Sequence, residues 1–527
     1  MRKFFTSIML LTSSLAATAT DYQGTLAVVI NGDVAQPTTN LITLNEQDGK
    51  YELALKNFIL MEGDEAMPVG NIVLKDVQAT DEQGAIVLET NQDILIEAGD
   101  IPGIPLWLGT ILGPVPVELR AVVSGDGDIL TADIKIPLAD QDVQVVFDSR
   151  TFQLPNSGFE EFHTVTAKGG LFGTTTATSE EPNNWHSFMS CTGSLASMVN
   201  TVPHTFISTE VRPGSNGSKS VLVKSGTVSM LGGFITATAN GTLTTGQLKA
   251  GDGDPASTKN NAFIDLTNEA KDANGDPFYT VLNTLPDAIS VWVKFKQGEV
   301  VAEHPYATMS AVITDGSYYQ EPTDKDYSEI IVGEARNNKI ESTGDEWQKI
   351  TVPFEYANKD KLPKAILVTF STNADPGQGT SNDELYIDDV ELIYNSSLAD
   401  LSINGETLSN FDPDTYNYEY DLGDDTTVDE IIDNISYKVA GKEAHGIVSV
   451  LENNTMAIAV LSADLLSSHT YTIKFKGGAT GIENIVSAEN TGKTIYNLNG
   501  QKVNSMKKGE VYITKYANGK IVKSINK

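Results

Sequence analysis

The chain has 527 residues, too long for one hydrophobic core and enough for three or four domains at roughly 150 residues each. Its 36 Lys and Arg face 70 Asp and Glu, a formal charge of −34 that repels phosphate backbones and argues against nucleic acid as a partner. One cysteine, Cys191, excludes a disulfide framework or thiolate zinc site within one chain, and it reads as a small buried residue rather than a nucleophile.

Residues 1–20 place Arg2 and Lys3 before an apolar run and end in Ala17-Thr18-Ala19, the pattern of a secretory signal peptide with a small-residue cleavage site. The mature chain is expected to start near Thr20 or Asp21, with no cysteine at the junction to carry a lipid. No other apolar run approaches the roughly 18 residues that cross a bilayer, so no transmembrane segment is expected. An exported protein follows, extracellular or on the outer-membrane cell surface.

Residues 21–149 alternate with a period of two. Tyr51, Leu53 and Leu55 flank Glu52, and Leu130, Ala132, Ile134 and Ile136 flank Thr131, Asp133 and Lys135. The link Gly125-Asp126-Gly127-Asp128 is a hairpin signal. The order of segments, with LALKNFIL, VGNIVLKDV and a final ILTADIKIPL hairpin into DVQVVF, resembles the calycin-like β-barrel domain of secreted Bacteroidota proteins. An antiparallel barrel is implied, filled by its own side chains or holding a small apolar ligand. Residues 101–116, with four prolines and Trp107, are expected to form a loop at its mouth.

Residues 150–395 contain AISVWVKFK, EWQKITVPFEY and the closing LYIDDVELIY. Period-two alternation puts Tyr386, Asp388, Val390, Leu392 and Tyr394 on one side of the last strand, which leaves the Asp388 carboxylate among apolar groups and in need of a partner. Glu160 and Glu161 follow a glycine turn in NSGFEEF at 156–162. The two segments resemble the first and last strands of calcium-clamped jelly rolls in carbohydrate-binding modules, and the unit resembles the putative carbohydrate metabolism domain of secreted Bacteroidota proteins. That resemblance implies a structural Ca2+ held by Glu160 and Asp388, with Asn156 as a weaker ligand. The alternative is that Asp388 accepts N–H bonds or pairs with Lys or Arg while both Glu face water. The DANGD segment at 272–276 lacks a full calcium-loop spacing and reads as a turn.

Residues 396–476, with Tyr416, Tyr418 and Tyr420 alternating on one strand and Tyr471, Ile473 and Phe475 on another, suit a small immunoglobulin-like sandwich. Their opening, LADLSINGETLSNFDPDTYNY, resembles cadherin-like β-sandwich spacers. Residues 477–527 carry most of their charge as lysine, and YNLNGQKV followed by GEVYI and NGK is similar to the C-terminal sorting domain of the type IX secretion route. Contact with an outer-membrane secretion machinery is implied, although Glu510 and Val511 interrupt the usual pattern.

No nucleophile elbow, zinc helix or phosphate loop occurs. His163, His186, His204, His304, His445 and His469 show no ligand spacing and read as surface or loop residues. Sugar recognition commonly sets an aromatic face against a pyranose, and Trp292, Trp185, Tyr318 and Tyr319 are the candidates. Trp292 stands out because Val291, Val293 and Phe295 take the opposite strand face. The expectation is an all-β protein: a calycin-like antiparallel barrel, a jelly-roll β-sandwich, a small Ig-like sandwich and a short β tail. Its expected role is non-catalytic capture of a glycan or polysaccharide; a glycan-active hydrolase and a surface adhesin or scaffold are the alternatives.

Overall fold

The computed structural model describes residues 18–527 except 64, 139–140, 170–173, 231–234, 359–360, 423–427, 433, 452–453, 478–492, 498–501, 504–510, 517–520 and 526–527. Most of the signal sequence and much of the tail motif therefore lie outside the described residues. The protein is almost entirely β. It divides into two compact units, Met1–Arg150 with Asn395–Lys527, and Thr151–Tyr394.

In the first unit, eight long strands from Thr18–Ile30 to Gln141–Asp148 each pair antiparallel with the next, and the first closes on the last from Thr25↔Asp148 to Ile30↔Val143. Alternate residues point inward, so Tyr22, Leu26, Val28, Ile42, Leu74, Leu119 and Phe147 form one continuous apolar interior. The predicted hairpin joins Pro114–Val123 to Leu130–Leu138 across Gly127, whose φ of 83° suits glycine. The expected mouth loop is anchored: Trp107 is buried over Gly99, where any Cβ would meet the indole, and a short helix, Gly109–Leu112, follows.

Residues 398–476 make a two-layer sandwich. A three-stranded sheet, built on Leu398–Ile403, faces a four-stranded one, ordered Asn417–Asp421, Ser468–Lys476, Thr455–Leu461, His445–Leu451. Its core holds Leu401, Tyr418, Ile458, Tyr471 and Phe475. This sandwich docks on the outside of the barrel, where Ala27, Val29 and Val146 pack against Ile447, Ala459, Leu461 and Leu465. Arg150 pairs with Asp148 at 2.8 Å and with Glu443 at 2.7 Å across that seam. Four short strands, among them Lys493–Asn497 and Val511–Tyr516, form a separate tail sheet.

The second unit carries two antiparallel sheets between which the chain alternates, as in a jelly roll. One runs Thr205–Ser208, Ser220–Lys224, Glu384–Ile393, Ala288–Lys296, Gln348–Pro353. The other, six-stranded, runs Thr242–Thr244, Ala365–Ser371, Ala307–Thr314, Ile331–Ile340, Glu355–Tyr356, with Thr280–Val281 paired to Ala365–Ser371 off this path. Val221, Val291, Val293 and Phe295 from the first, and Met309, Ala311, Ile313 and Phe370 from the second, are fully buried.

The last strand departs from the expected alternation. Leu385 and Ile387 are fully buried, then Asp389 takes a φ of 44° and the register against Ala288–Lys296 shifts between Ser290 and Trp292. After this bulge the buried parity changes to Val390 and Leu392. Asp388 therefore shares the outer face with Trp292, its direct partner, rather than a row with Val390 and Leu392.

Candidate functional site

Asp388 is completely shielded from solvent. Its Oδ2 accepts the main-chain N–H of Arg212 at 2.8 Å, while Oδ1 has no partner among the described residues. Burial, with the Asp389 charge beside it, pushes this carboxyl up to about 6 despite the Arg212 amide. The Arg212 side chain reaches Asp389 instead. Glu160 closes on a different part of the same loop: it accepts Ser218 N at 2.8 Å, Lys219 N at 3.0 Å and Ser218 Oγ at 2.9 Å. Burial opposes its charge, but those donors together hold its pKa below the usual carboxylate range. The approach is tight enough that a Cβ on Gly217 would lie 2.3 Å from Glu160 Oε1. Asn156 is spent as well, with Oδ1 accepting Glu161 N and Nδ2 donating to the Glu161 and Asn183 carbonyls.

These residues do not fit a calcium ion shared by Glu160, Asp388 and Asn156. Only Asp388 Oδ1 lacks a partner, and the loop through Arg212 and Lys219 supplies the donors that a cation would replace. The first and last segments still meet directly, through Val390 N to Ser157 O at 2.9 Å. The alternative reading of Asp388, as an acceptor of N–H bonds, describes its contact with Arg212.

The aromatic candidates separate by environment. Trp185 is fully buried against Phe159 and Phe370, and its indole N–H donates to Pro155 O, so it is core rather than a sugar platform. Tyr319 is also fully buried, with its hydroxyl between Glu321 and Arg336, and is likewise corrected to core. Trp292 is half-buried and carries the Arg212 guanidinium over its ring at 5.7 Å. Beside it, Lys294 is 1% exposed, 4.1 Å above the Tyr386 ring and 5.4 Å from Trp347, and is paired with Glu210. The faces a pyranose would need are thus covered by the protein's own cations. Tyr318 alone of the four is exposed, stacked on Phe263 at 5.7 Å. Cys191 is held as a thiol, burial and the nearby Glu181 charge pushing it up to about 12.

The opposite sheet offers a cavity. Its outward face is covered at one end by the small sheet of Gln247–Lys249, Asn261–Ile264 and Tyr319–Glu321, where Leu248, Ala262 and Ile264 pack on Val312 and Leu367. At the other end the same face stays open as a cavity of ≈ 390 Å³. Thr308, Ser310, Arg336, Asn338, Thr369 and Ser371 line its floor, and Phe188, Leu195, Val199, Val228, Pro255 and Pro322 supply apolar walls. The floor is ordered: Thr308 Oγ1 donates to Asn338 Oδ1 at 2.8 Å, Asn240 Nδ2 reaches Ser371 Oγ at 3.1 Å, and Glu321 is paired with Arg336 and Ser310. Sequence reasoning missed this site. The signal was present as period-two polar residues, Thr308/Ser310, Arg336/Asn338 and Thr369/Ser371, in strands otherwise apolar.

Fold and cavity define an all-β multidomain protein with a jelly roll that is open on one sheet. The calycin-like β-barrel domain family matches residues 18–149, the barrel described above. A gellan lyase of Bacillus sp is 31% identical over 102 residues, 18% of this chain and 4% of that protein, so the chain spans only a small part of that relative's length. The solved structure of the M60 catalytic domain with the CBM51-1 and CBM51-2 domains of Clostridium perfringens ZmpB aligns over 96% of this chain and 46% of its own, at 9% identity and a TM-score of 0.15, too low to establish a common fold. No helix among the described residues is long and apolar enough to cross a membrane.

Proposed function

We propose that the second unit captures a glycan in the cavity on the six-stranded sheet and does so without catalysis. One observation carries this reading: hydroxyl, amide and guanidinium groups stand in rows on a rigid sheet, beneath apolar walls, in a space of ≈ 390 Å³. Hydroxyls and amides both donate and accept, as sugar hydroxyls require, and the volume lies within the usual range for small-ligand sites. The two carboxylates that line the cavity are both paired, Glu321 with Arg336 and Asp252 with Lys259, and are poorly placed to act as an acid or nucleophile. The limited likeness to a gellan lyase agrees with a polysaccharide partner. Export by the N-terminal signal, with a sorting role for the tail, completes the proposal and places binding at the cell surface or outside it.

The test is a glycan-array measurement on the full chain, repeated with Asn338→Trp, which fills the cavity from an exposed position. Binding to a defined glycan class by the native chain, weakened at least tenfold in the variant, supports the site. An array without signal, or equal binding by both proteins, removes it; release of reducing ends or unsaturated products from the bound polysaccharide would replace capture with catalysis.

A further inference from the structure

A second group of side chains in the same unit lies outside the cavity and outside the Asp388 region. His163 sits at the start of the strand Phe162–Gly169, His186 at a corner bridged to Thr244, and Asp272 at the head of the 272–276 turn. The turn has a local cause: Asp272 Oδ1 accepts Asn274 N at 2.9 Å and Asp276 N at 2.8 Å, which leaves Oδ2 to point inward. There Oδ2 lies 3.4 Å from His163 Nε2 and 3.4 Å from His186 Nε2. The Asp272 and His186 side chains are 0% exposed and that of His163 is 9% exposed. Among the described residues, none of these three atoms has a hydrogen-bond partner. His163, Asp272 and Asp276 each offer a ligand atom within 4.8 Å of the others.

The tautomer of His163 makes this arrangement hard to satisfy without a cation. Asn183 Nδ2 donates to Glu161 Oε2 at 3.3 Å, so its Oδ1 is the atom that meets His163 Nδ1, at 3.1 Å. An amide oxygen accepts, so Nδ1 carries a proton, and in the neutral ring Nε2 then presents a lone pair to the Asp272 carboxylate. Two acceptors facing each other in a buried space repel. The 3.4 Å between Asp272 Oδ2 and His163 Nε2 exceeds a charge-assisted hydrogen bond, about 2.8 Å, and matches the roughly 3.3 Å between neighbouring ligands on a tetrahedral ion with bonds near 2.05 Å. Asn183 is then the orienting acceptor that a metal-bound imidazole usually has on its second nitrogen.

We propose that His163 Nε2, Asp272 Oδ2 and Asp276 hold one divalent first-row transition-metal ion of the zinc class. Imidazole nitrogen selects such an ion over calcium. The ion ties the strand Phe162–Gly169 to the 272–276 turn, and its role is structural.

The experiment uses the untagged full chain, stripped with chelator, dialysed, and titrated with Zn2+, Co2+ or Ca2+. One Zn2+ per chain retained through gel filtration, a raised Tm with Zn2+ but not Ca2+, and visible Co2+ bands of a low-coordinate site are expected. His163→Gln and, separately, Asp276→Asn on the half-exposed turn should weaken zinc binding roughly 100-fold or more. Should one variant fail to fold, the other carries the comparison, and the Co2+ spectrum of the native chain needs neither. Less than half an equivalent of retained zinc, Co2+ spectra identical to the free ion, or native affinity in a folded variant would overturn the site and leave a proton between imidazole and carboxylate.

Discussion

The two outer faces of the jelly roll carry residues that the sequence presents in the opposite order of promise. The five-stranded face has the aromatic residues, Trp292, Tyr386 and Trp347, yet Arg212, Lys294 and Lys296 lie over their rings. The six-stranded face has Thr, Ser, Asn and one Arg, and it holds the cavity. An exposed-looking aromatic in a strand is available to a ligand only when no long cationic side chain from a neighbouring strand or loop reaches it first. Lysine and arginine stems are well suited to cover such surfaces.

Breaking the closed face should have the largest effect. Lys294→Ala removes a buried stem and the cation that Tyr386 and Trp347 surround, and stability measured by denaturant titration should fall by about 3 kcal/mol. Glycan affinity at the open face should stay unchanged; a parallel loss would mean that the two faces are one site. Filling the open face reverses the pattern: Thr308→Trp should weaken binding by calorimetry at least tenfold, about 1.4 kcal/mol, and leave the Tm close to native.

Asp388 sharpens the contrast through pH. Its folded pKa of about 6 lies above the 3.8 of a free carboxyl, so the native state binds this proton more tightly than the unfolded chain. The stabilisation is full below about pH 4 and is lost as pH rises through about 6. Calorimetric scans between pH 4 and 7 should therefore show the native chain losing about 2 kcal/mol relative to Asp388→Asn; a constant difference between the two across that range would remove the assignment. The smallest effect is expected for Arg212→Ala, which uncovers Trp292 but keeps the main-chain bond to Asp388, at a cost of about 0.5 kcal/mol. If that variant gains affinity for sugars, the closed face is a latent platform.

Much of this architecture was legible because strands report themselves locally. The alternation of Val291, Val293 and Phe295 with Trp292, Lys294 and Lys296 correctly divided inner from outer face. The Gly127 hairpin followed from its turn residues, and the barrel from the resemblance that its order of segments carries. Alternation failed at Asp389, where one added residue on the last strand reversed the parity that had placed Asp388 beside Val390. Burial of Trp185 and Tyr319 was hidden because corners and strand ends carry no periodic signal. The histidine cluster was hidden for a different reason: His163, His186 and Asp272 are far apart in sequence and meet only after the hairpin, the corner and the turn have packed. Asp272 itself was seen only as part of a turn. The turn reading was right, and the turn is what aims the carboxylate.

The ends of the second unit are fastened to each other. Tyr394 OH donates to Phe152 O at 2.8 Å with the two rings edge to face, and the Gln153 side chain bonds both main-chain groups of Leu392. Since the barrel and its docked sandwich are built from the chain on either side of this fastening, residues 151–394 amount to a cassette with adjoining splice points.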